Sequence, residues 1–416
     1  MSRFAWLSFV SSRPLPSMVI GITLFGLAGC DGGDEGNEEV ADDTTSETGD
    51  AETETGGTET ETGEEPPPPP PSYDQWEKVE LDGTYCSDGS QYKFFVNWHE
   101  GADDLVVIFE PGGACWDYES CSGELGILGA ANPFGIPDNH MDTWAIHSPL
   151  VRRDSPQNPM RDWNIVFVPY CTGDVHTGSA TAEYTSQDGT KQLTYRHVGH
   201  DNMMIVSDWL GWQFQGTDRM YAGGCSAGGV GSNVNYYFLR EAIAPNFGYL
   251  VNDSGPLFPD SVNSKPLHDK IRAAWNLEAV IDDTPIAGVL AEDFGEITAE
   301  LGDLYPDDRL GITYFIRDYN YSRYSYERFY EGIDKEGIHQ KFYEDSLLLM
   351  ANYDQHDNLG YFLPYYRNIN DSHCSTIIDF GLTNIGDLTV EDFVVQVLDD
   401  SVPMQSFVDL DGSQGP

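Results

Sequence analysis

The sequence predicts an α/β domain over residues 76–416, with a mostly parallel central sheet, helices on both faces and a helical cap. Three observations carry that expectation. Short apolar runs rich in Val, Ile and Phe recur along the chain, helical patterns separate them, and most of the runs stop at Pro or Gly. A run that is apolar at every position suits a strand buried on both faces, and strands alternating with helices pair in parallel because each crossover needs a helix's length of chain.

Leu105-Val106-Val107-Ile108-Phe109 is the first such run, and it ends at Pro111-Gly112-Gly113. Ile165-Val166-Phe167-Val168 repeats it and ends at Pro169. From Val198 to Trp212 a helical pattern sets Met203, Met204, Val206 and Leu210 on or near one face. Met220-Tyr221-Ala222 then reads as a short strand, and Val230 to Ile243 as a helix that Pro245 ends. Tyr249-Leu250-Val251 and Ile312 to Ile316 supply two more strands. Residues 265–305 and 331–350 are acidic with helical patterning, and are expected to form the cap.

The chain has 416 residues, 69 of them acidic and 21 basic, for a formal charge of −48. Such a surface repels phosphate backbones, so nucleic acid is excluded as a partner. Between residues 30 and 75 there are 16 Asp or Glu and no Lys or Arg, and six consecutive prolines run from Pro66 to Pro71. That stretch cannot bury enough apolar surface to offset its ordering entropy, and reads as a disordered acidic tether with a stiff proline spacer. Upstream, Arg3 and Arg13 precede an apolar run from Met18 to Ala28 that ends in Leu27-Ala28-Gly29-Cys30. The pattern resembles a bacterial lipobox, so residues 1–29 are expected to be a lipoprotein signal peptide and Cys30 the lipidated residue. The expected location is the bacterial cell envelope or surface, with the membrane engaged only through the anchor.

After Cys30 six cysteines remain, Cys86, Cys115, Cys121, Cys171, Cys225 and Cys374, an even number that suits disulfides in an exported chain. No CxxC or Cys/His spacing suggests a metal, and neither metal nor cofactor is expected. Cys115 and Cys121 are close enough in sequence to close one turn.

Gly223-Gly224-Cys225-Ser226-Ala227-Gly228-Gly229 lies between the Met220 strand and the Val230 helix. A lone G-x-S-x-G is as often a plain turn, and a phosphate loop would place a Lys after its second Gly. The flanking strand and helix make it the turn that exposes a nucleophilic serine. Such a serine needs a carboxylate and a His, which follow it in chain order. His339 and His356 lie in polar surroundings and read as solvated, so the candidate base is His373, in a loop beyond Tyr361-Phe362-Leu363. Asp318 and Asp253 both end strands; Asp318 stands at the usual later position, which leaves Asp253 as a turn carboxylate capping Asn252 to Gly255. Gly112 and Gly113 with Ala227 are placed to offer N–H groups to an oxyanion. Cys225 beside the nucleophile and Cys374 beside the base suggest a bond between them, leaving Cys86 for Cys171.

These residues are similar to those of the pectin acetylesterase family, which includes the animal Notum carboxylesterases. The matching blocks are Cys86-Ser87-Asp88-Gly89-Ser90, Phe109 to Cys115, Asn164 to Cys171 with Gly173 to Gly178, Gly224 to Gly229, Asp253-Ser254-Gly255 and His373-Cys374. They run in family order over about residues 80 to 375. The resemblance implies an α/β-hydrolase fold and cofactor-free ester hydrolysis by Ser226, His373 and Asp318, with the oxyanion held by Gly112, Gly113 and Ala227. Pro111 and Ala114 depart from the family's usual glycine and aromatic, which implies an altered pocket wall. An acetyl or short acyl ester on a neutral or methylated glycan, or a small ester, is the expected substrate, since the acidic surface disfavours a polyanion. Alternatives are a lipid ester or thioester, and a non-catalytic glycan-binding or partner-binding role. Tyr314, Tyr319, Tyr321, Tyr324, Tyr326 and Tyr330 crowd the region of Asp318 and read as core and cover ahead of a sugar-stacking surface.

Overall fold

The apolar runs become the middle of a sheet in a computed structural model that describes residues 71–414, apart from 125, 127–128, 145–147, 283, 288–292 and 378–379. The expected signal segment, Cys30 and the tether up to residue 70 lie outside the described residues. In chain order the strands are β1 (Trp76–Tyr85), β2 (Gln91–Asn97), β3 (Leu105–Phe109), β4 (Asn164–Val168), β5 (Ala180–Thr185), β6 (Gln192–His197), β7 (Arg219–Cys225), β8 (Phe247–Asp253), β9 (Arg309–Thr313), β10 (Leu359–Leu363), β11 (Asn384–Ile385), β12 (Leu388–Thr389) and β13 (Phe407–Val408). One sheet takes the order β1-β2-β4-β3-β7-β8-β9-β10-β13. β1, β2 and β4 pair antiparallel at one edge, and from β4 onward every neighbour is parallel. β5 with β6, and β11 with β12, form separate antiparallel pairs.

β3, β4, β9 and β10 are buried at every position, which requires cover on both faces. The helix Ala227–Ile243 lies along β7 and β8 and against the helix Gly199–Phe214. Another, Val390–Val397, contacts β8 and β9. On Gly199–Phe214 the apolar residues facing inward are Met203, Val206, Leu210 and Phe214, while Met204 and Trp212 are exposed.

Two expectations shift. The strand placed at Ile312 to Ile316 is Arg309–Thr313, because Arg309 is buried and donates to the carbonyls of Val397, Gln396 and Val402. Tyr314, Phe315 and Ile316 stay buried beyond its end. The acidic stretch at 331–350 yields the helix Lys335–Tyr353, which packs beside β10 and buries Ile338, Phe342, Leu349 and Met350, so it flanks the sheet. The cap is left to Lys265–Ala274 and Leu277–Ile281.

Disulfides join Cys86 to Cys171, Cys115 to Cys121 and Cys225 to Cys374, with Cα separations of 5.1, 4.9 and 5.5 Å. The connectivity is the one expected from position in the sequence.

Asp308 ties three elements together. Fully buried just before β9, it accepts from Tyr236 Oη at 2.9 Å, Arg240 Nε at 2.9 Å and the Gly248 N–H at 3.1 Å. Asp308→Ala strands these donors and is expected to cost about 3–5 kcal/mol. A thermal melt of the purified variant should fall by roughly 5 °C or more; an unchanged melt would contradict the assignment.

Candidate active site

β7 ends at Cys225 and its helix begins at Ala227, so a single residue must turn the chain. Ser226 does so with φ 57° and ψ −121°, a strained backbone for a residue with a side chain, and its N–H donates to the Asp253 carbonyl at 2.7 Å. The turn is tight because the helix start lies against β3. A Cβ on Gly228 would run into the Phe109 carbonyl, and one on Gly224 would be 2.5 Å from the same oxygen. Only glycine allows that approach.

His373 and Asp318 come together at the far side of the cleft. His373 Nδ1 lies 2.7 Å from Asp318 Oδ2, and both residues are buried. Asp318 also caps the helix Tyr319–Tyr326, accepting from the Tyr321 N–H at 2.9 Å through its other oxygen, so helix and imidazole hold one carboxylate from two sides. Burial works against a charged His373, yet the Asp318 carboxylate outweighs it and holds the imidazole above its usual range. Cys225 and Cys374, whose sulfurs lie close to the His373 ring, are bonded to each other and so offer no thiolate to a metal.

The loop after β3 is held from beneath. Glu110, fully buried, accepts from the Tyr170 N–H at 2.6 Å and Asn132 Nδ2 at 2.7 Å, and its other oxygen lies 3.0 Å from His140 Nε2. Burial pushes its carboxyl up despite these partners. The Glu110 carbonyl accepts from His176 Nε2 at 3.0 Å; burial pulls that imidazole down to about 4, so it stays neutral and can donate. Asp174 fastens the His176 turn by accepting from Thr172 Oγ1 and from the N–H groups of His176, Gly178 and Gly199. Pro111, Gly112 and Gly113 thereby reach the cleft on a rigid base, with Gly113 at φ +82°.

Ser226 stands where two lobes meet. One is bounded by Gly113, Ala227, Val230, Leu257, Ile271 and Trp275. Val175, Val230, Leu257, Ile271 and Trp275 also border a chamber lined almost wholly by apolar side chains. The other lobe holds His373 with Gly112, Asn320, Tyr321, Tyr324 and Asn370. Ser226, His373, Gly112, Gly113 and Ala227 therefore line one cleft, with Asp318 buried behind His373.

The remaining candidates fall elsewhere. His356 pairs with Asp303 at 3.1 Å. His339, expected in solvent, is buried against Tyr319, because its helix turns that face inward. Tyr314 and Tyr326 are core, whereas Tyr321 and Tyr324 line the cleft. Asp253 does not cap its own turn. Asn252 does, through Nδ2 to the Gly255 carbonyl and Oδ1 from the Gly255 N–H. The Asp253 carboxylate faces Ser375 and Thr376 instead. Sequence reasoning passed over that link and the Glu110–His140 pair, although the two hydroxyl residues directly after Cys374 were a visible signal.

Residues 76–277 match the family described as "PAE: Pectinacetylesterase". Pectin acetylesterase 5 of Arabidopsis thaliana is 26% identical over 205 residues, 48% of this chain and 45% of that protein. The palmitoleoyl-protein carboxylesterase NOTUM of Drosophila melanogaster is 26% identical over 209 residues, 46% of this chain and 29% of that protein. The chain thus spans less than half the length of these curated relatives. Among solved structures, the Wnt deacylase Notum from Drosophila superposes with a TM-score of 0.54 at 17% identity, covering 82% of this chain and 99% of that one. A second crystal form gives 0.56. At that identity the likeness is one of fold, an α/β hydrolase with a mostly parallel sheet.

The bond between Cys225 and Cys374 spans 149 residues and should stabilise the protein by roughly 2–4 kcal/mol. Non-reducing peptide mapping should recover it together with Cys86–Cys171 and Cys115–Cys121. Free thiols at Cys225 and Cys374 would contradict this arrangement.

Proposed function

We propose, from the chain's distant kinship with the pectin acetylesterases and Notum, that it is a serine carboxylesterase. Ser226 is the nucleophile, His373 the base, Asp318 its orienting carboxylate, and the N–H groups of Gly112, Gly113 and Ala227 the oxyanion donors. Ser226 Oγ attacks the ester carbonyl as His373 Nε2 takes its proton; Nδ1 is committed to Asp318. The tetrahedral oxyanion collapses to an acyl-serine, and the proton on His373 passes to the departing alkoxide. Water, deprotonated by the same imidazole, then frees the acid and restores Ser226.

The observation that carries this reading is the position of Ser226 between the two lobes. Because His373 must protonate the leaving group, the alcohol belongs in the lobe that His373 lines, and the acyl part in the apolar lobe. The apolar lining of that lobe, shared through Val175, Val230, Leu257, Ile271 and Trp275 with the neighbouring apolar chamber, favours a longer apolar acyl chain over the acetyl ester expected from sequence. Deacetylation of a glycan is the second reading, supported by Asn320, Tyr324 and Asn370 in the alcohol lobe. The disulfides support export to an oxidising compartment, and Leu27 to Cys30 supports a lipid anchor there. No helix among the described residues is long and apolar enough to cross a membrane.

On p-nitrophenyl esters, kcat/KM should rise at least about tenfold from acetate to hexanoate, since each buried methylene is worth up to about 0.8 kcal/mol. Ser226→Ala should abolish turnover throughout. Acetate as the preferred ester would favour the second reading.

His373 must be neutral to accept a proton. With its pKa raised, kcat/KM should be full at alkaline pH and fall as pH drops through a value above the ordinary ~6.5. Asp318→Asn should move that limb to lower pH and cut kcat by roughly 10⁴. A folded Asp318→Asn variant with near-normal kcat would remove Asp318 from the mechanism.

A further inference from the structure

His373 sits in a segment that neither a long helix nor a strand supports. Asn370, Asp371, Ser372 and Cys374 all have φ between 50° and 62°. Four such residues within five positions persist only where their surroundings over-determine them.

We propose that Asp253 is a positioning residue for the reaction, its carboxylate gripping the Ser375-Thr376 segment and so setting His373 against Ser226. This rests on the reading of Ser226 and His373 given above. Asp253 is the last residue of β8 and is fully buried. Its carbonyl accepts the Ser226 N–H, so its backbone belongs to the nucleophile's turn. Its carboxylate belongs to the base's segment: Oδ1 accepts from the Ser375 N–H at 2.9 Å and Ser375 Oγ at 3.0 Å, and Oδ2 from the Thr376 N–H at 2.7 Å and Thr376 Oγ1 at 2.8 Å. Ser254 Oγ donates to Oδ1 at 2.8 Å while accepting the Cys374 N–H at 3.0 Å. Five donors on two oxygens suit a carboxylate and no neutral side chain of that size. One residue thus couples the backbone of the nucleophile to the backbone flanking the base, across 120 residues of sequence. The Cys225–Cys374 bond makes the same link covalently, and Arg367 Nη2 secures the carbonyls of His373 and Cys374 from the other side.

The charge matters as well as the grip. The charged groups facing His373 are Asp318 and Asp253, which favour the imidazolium, and Arg367, which opposes it. Around Asp253 itself stand Arg367, Asp318 and the Tyr221 hydroxyl. On the base's own segment Asp371 pairs with Lys335 at 3.8 Å. Asp253 therefore helps stabilise the imidazolium that forms when Ser226 attacks.

The test is Asp253→Asn in the full chain, beside a Ser375→Ala/Thr376→Ala double variant that keeps the charge and both backbone donors. Asp253→Asn turns an amide toward N–H groups; kcat should fall roughly 10- to 100-fold with KM nearly unchanged. The acid limb of kcat/KM should move about half a pH unit or more lower. In the double variant kcat should fall several-fold with the limb unmoved. Wild-type kcat and an unmoved limb in folded Asp253→Asn would overturn the proposal, and if that protein does not fold, wild-type kcat in the double variant would do so. Loss near 10⁴ in Asp253→Asn with an active Asp318→Asn would make Asp253 the orienting acid itself and overturn the positioning role. Ser226→Ala, assayed alongside, separates these outcomes from failure of the esterase reading: an active Ser226→Ala overturns that reading and the positioning role with it, whereas an inactive one leaves the Asp253 variants to decide the positioning role.

Discussion

The start of the helix Ala227–Ile243 touches the end of β3 backbone to backbone, with nothing but the hydrogens of Gly224 and Gly228 between the helix and the Phe109 carbonyl. Two residues past Phe109 the chain reaches Pro111, Gly112 and Gly113, so this contact alone makes the Ser226 turn and the glycine loop neighbours. Larger residues at 224 or 228 would push the helix off the sheet and open the cleft at its centre. The strained φ of Ser226 follows from the same constraint, because a chain that must pass from strand to helix in one residue has no relaxed route.

Around that contact the loops are held by buried carboxylates standing near strand ends. Glu110 organises the loop after β3, Asp174 the turn bearing His176, Asp253 the segment after His373, and Asp318 both a helix start and His373. Burying a carboxylate is costly, and here backbone N–H groups and polar side chains offset the cost. The chain's large negative charge is a separate matter: it bears on solubility and partners.

How much of this was legible follows from the range of each interaction. β3, β4, β7 and β8 were readable because a strand covered on both faces writes itself as a continuous apolar run, and the Ser226 turn because its residues are contiguous. β1 and the β5–β6 hairpin, half exposed, carry only a weak alternation and were not seen. β9 begins at an arginine whose burial depends on three carbonyls some ninety residues later, which no local window contains. For the same reason the tie from Asp253 to Ser375, 122 positions away, was read as a local turn, and His140 was not connected with Glu110. His373 and Asp318 were placed by chain order, and the structure brings them within hydrogen-bonding distance.

Everything said about chemistry turns on whether Ser226 is a nucleophile that His373 activates. Treating the purified protein with a fluorophosphonate and mapping the adduct by peptide mass spectrometry asks that directly. A single phosphonylated site at Ser226 is expected, formed far more slowly in His373→Ala. An adduct on another residue, or labelling of Ser226 that proceeds at the same rate without His373, would contradict it.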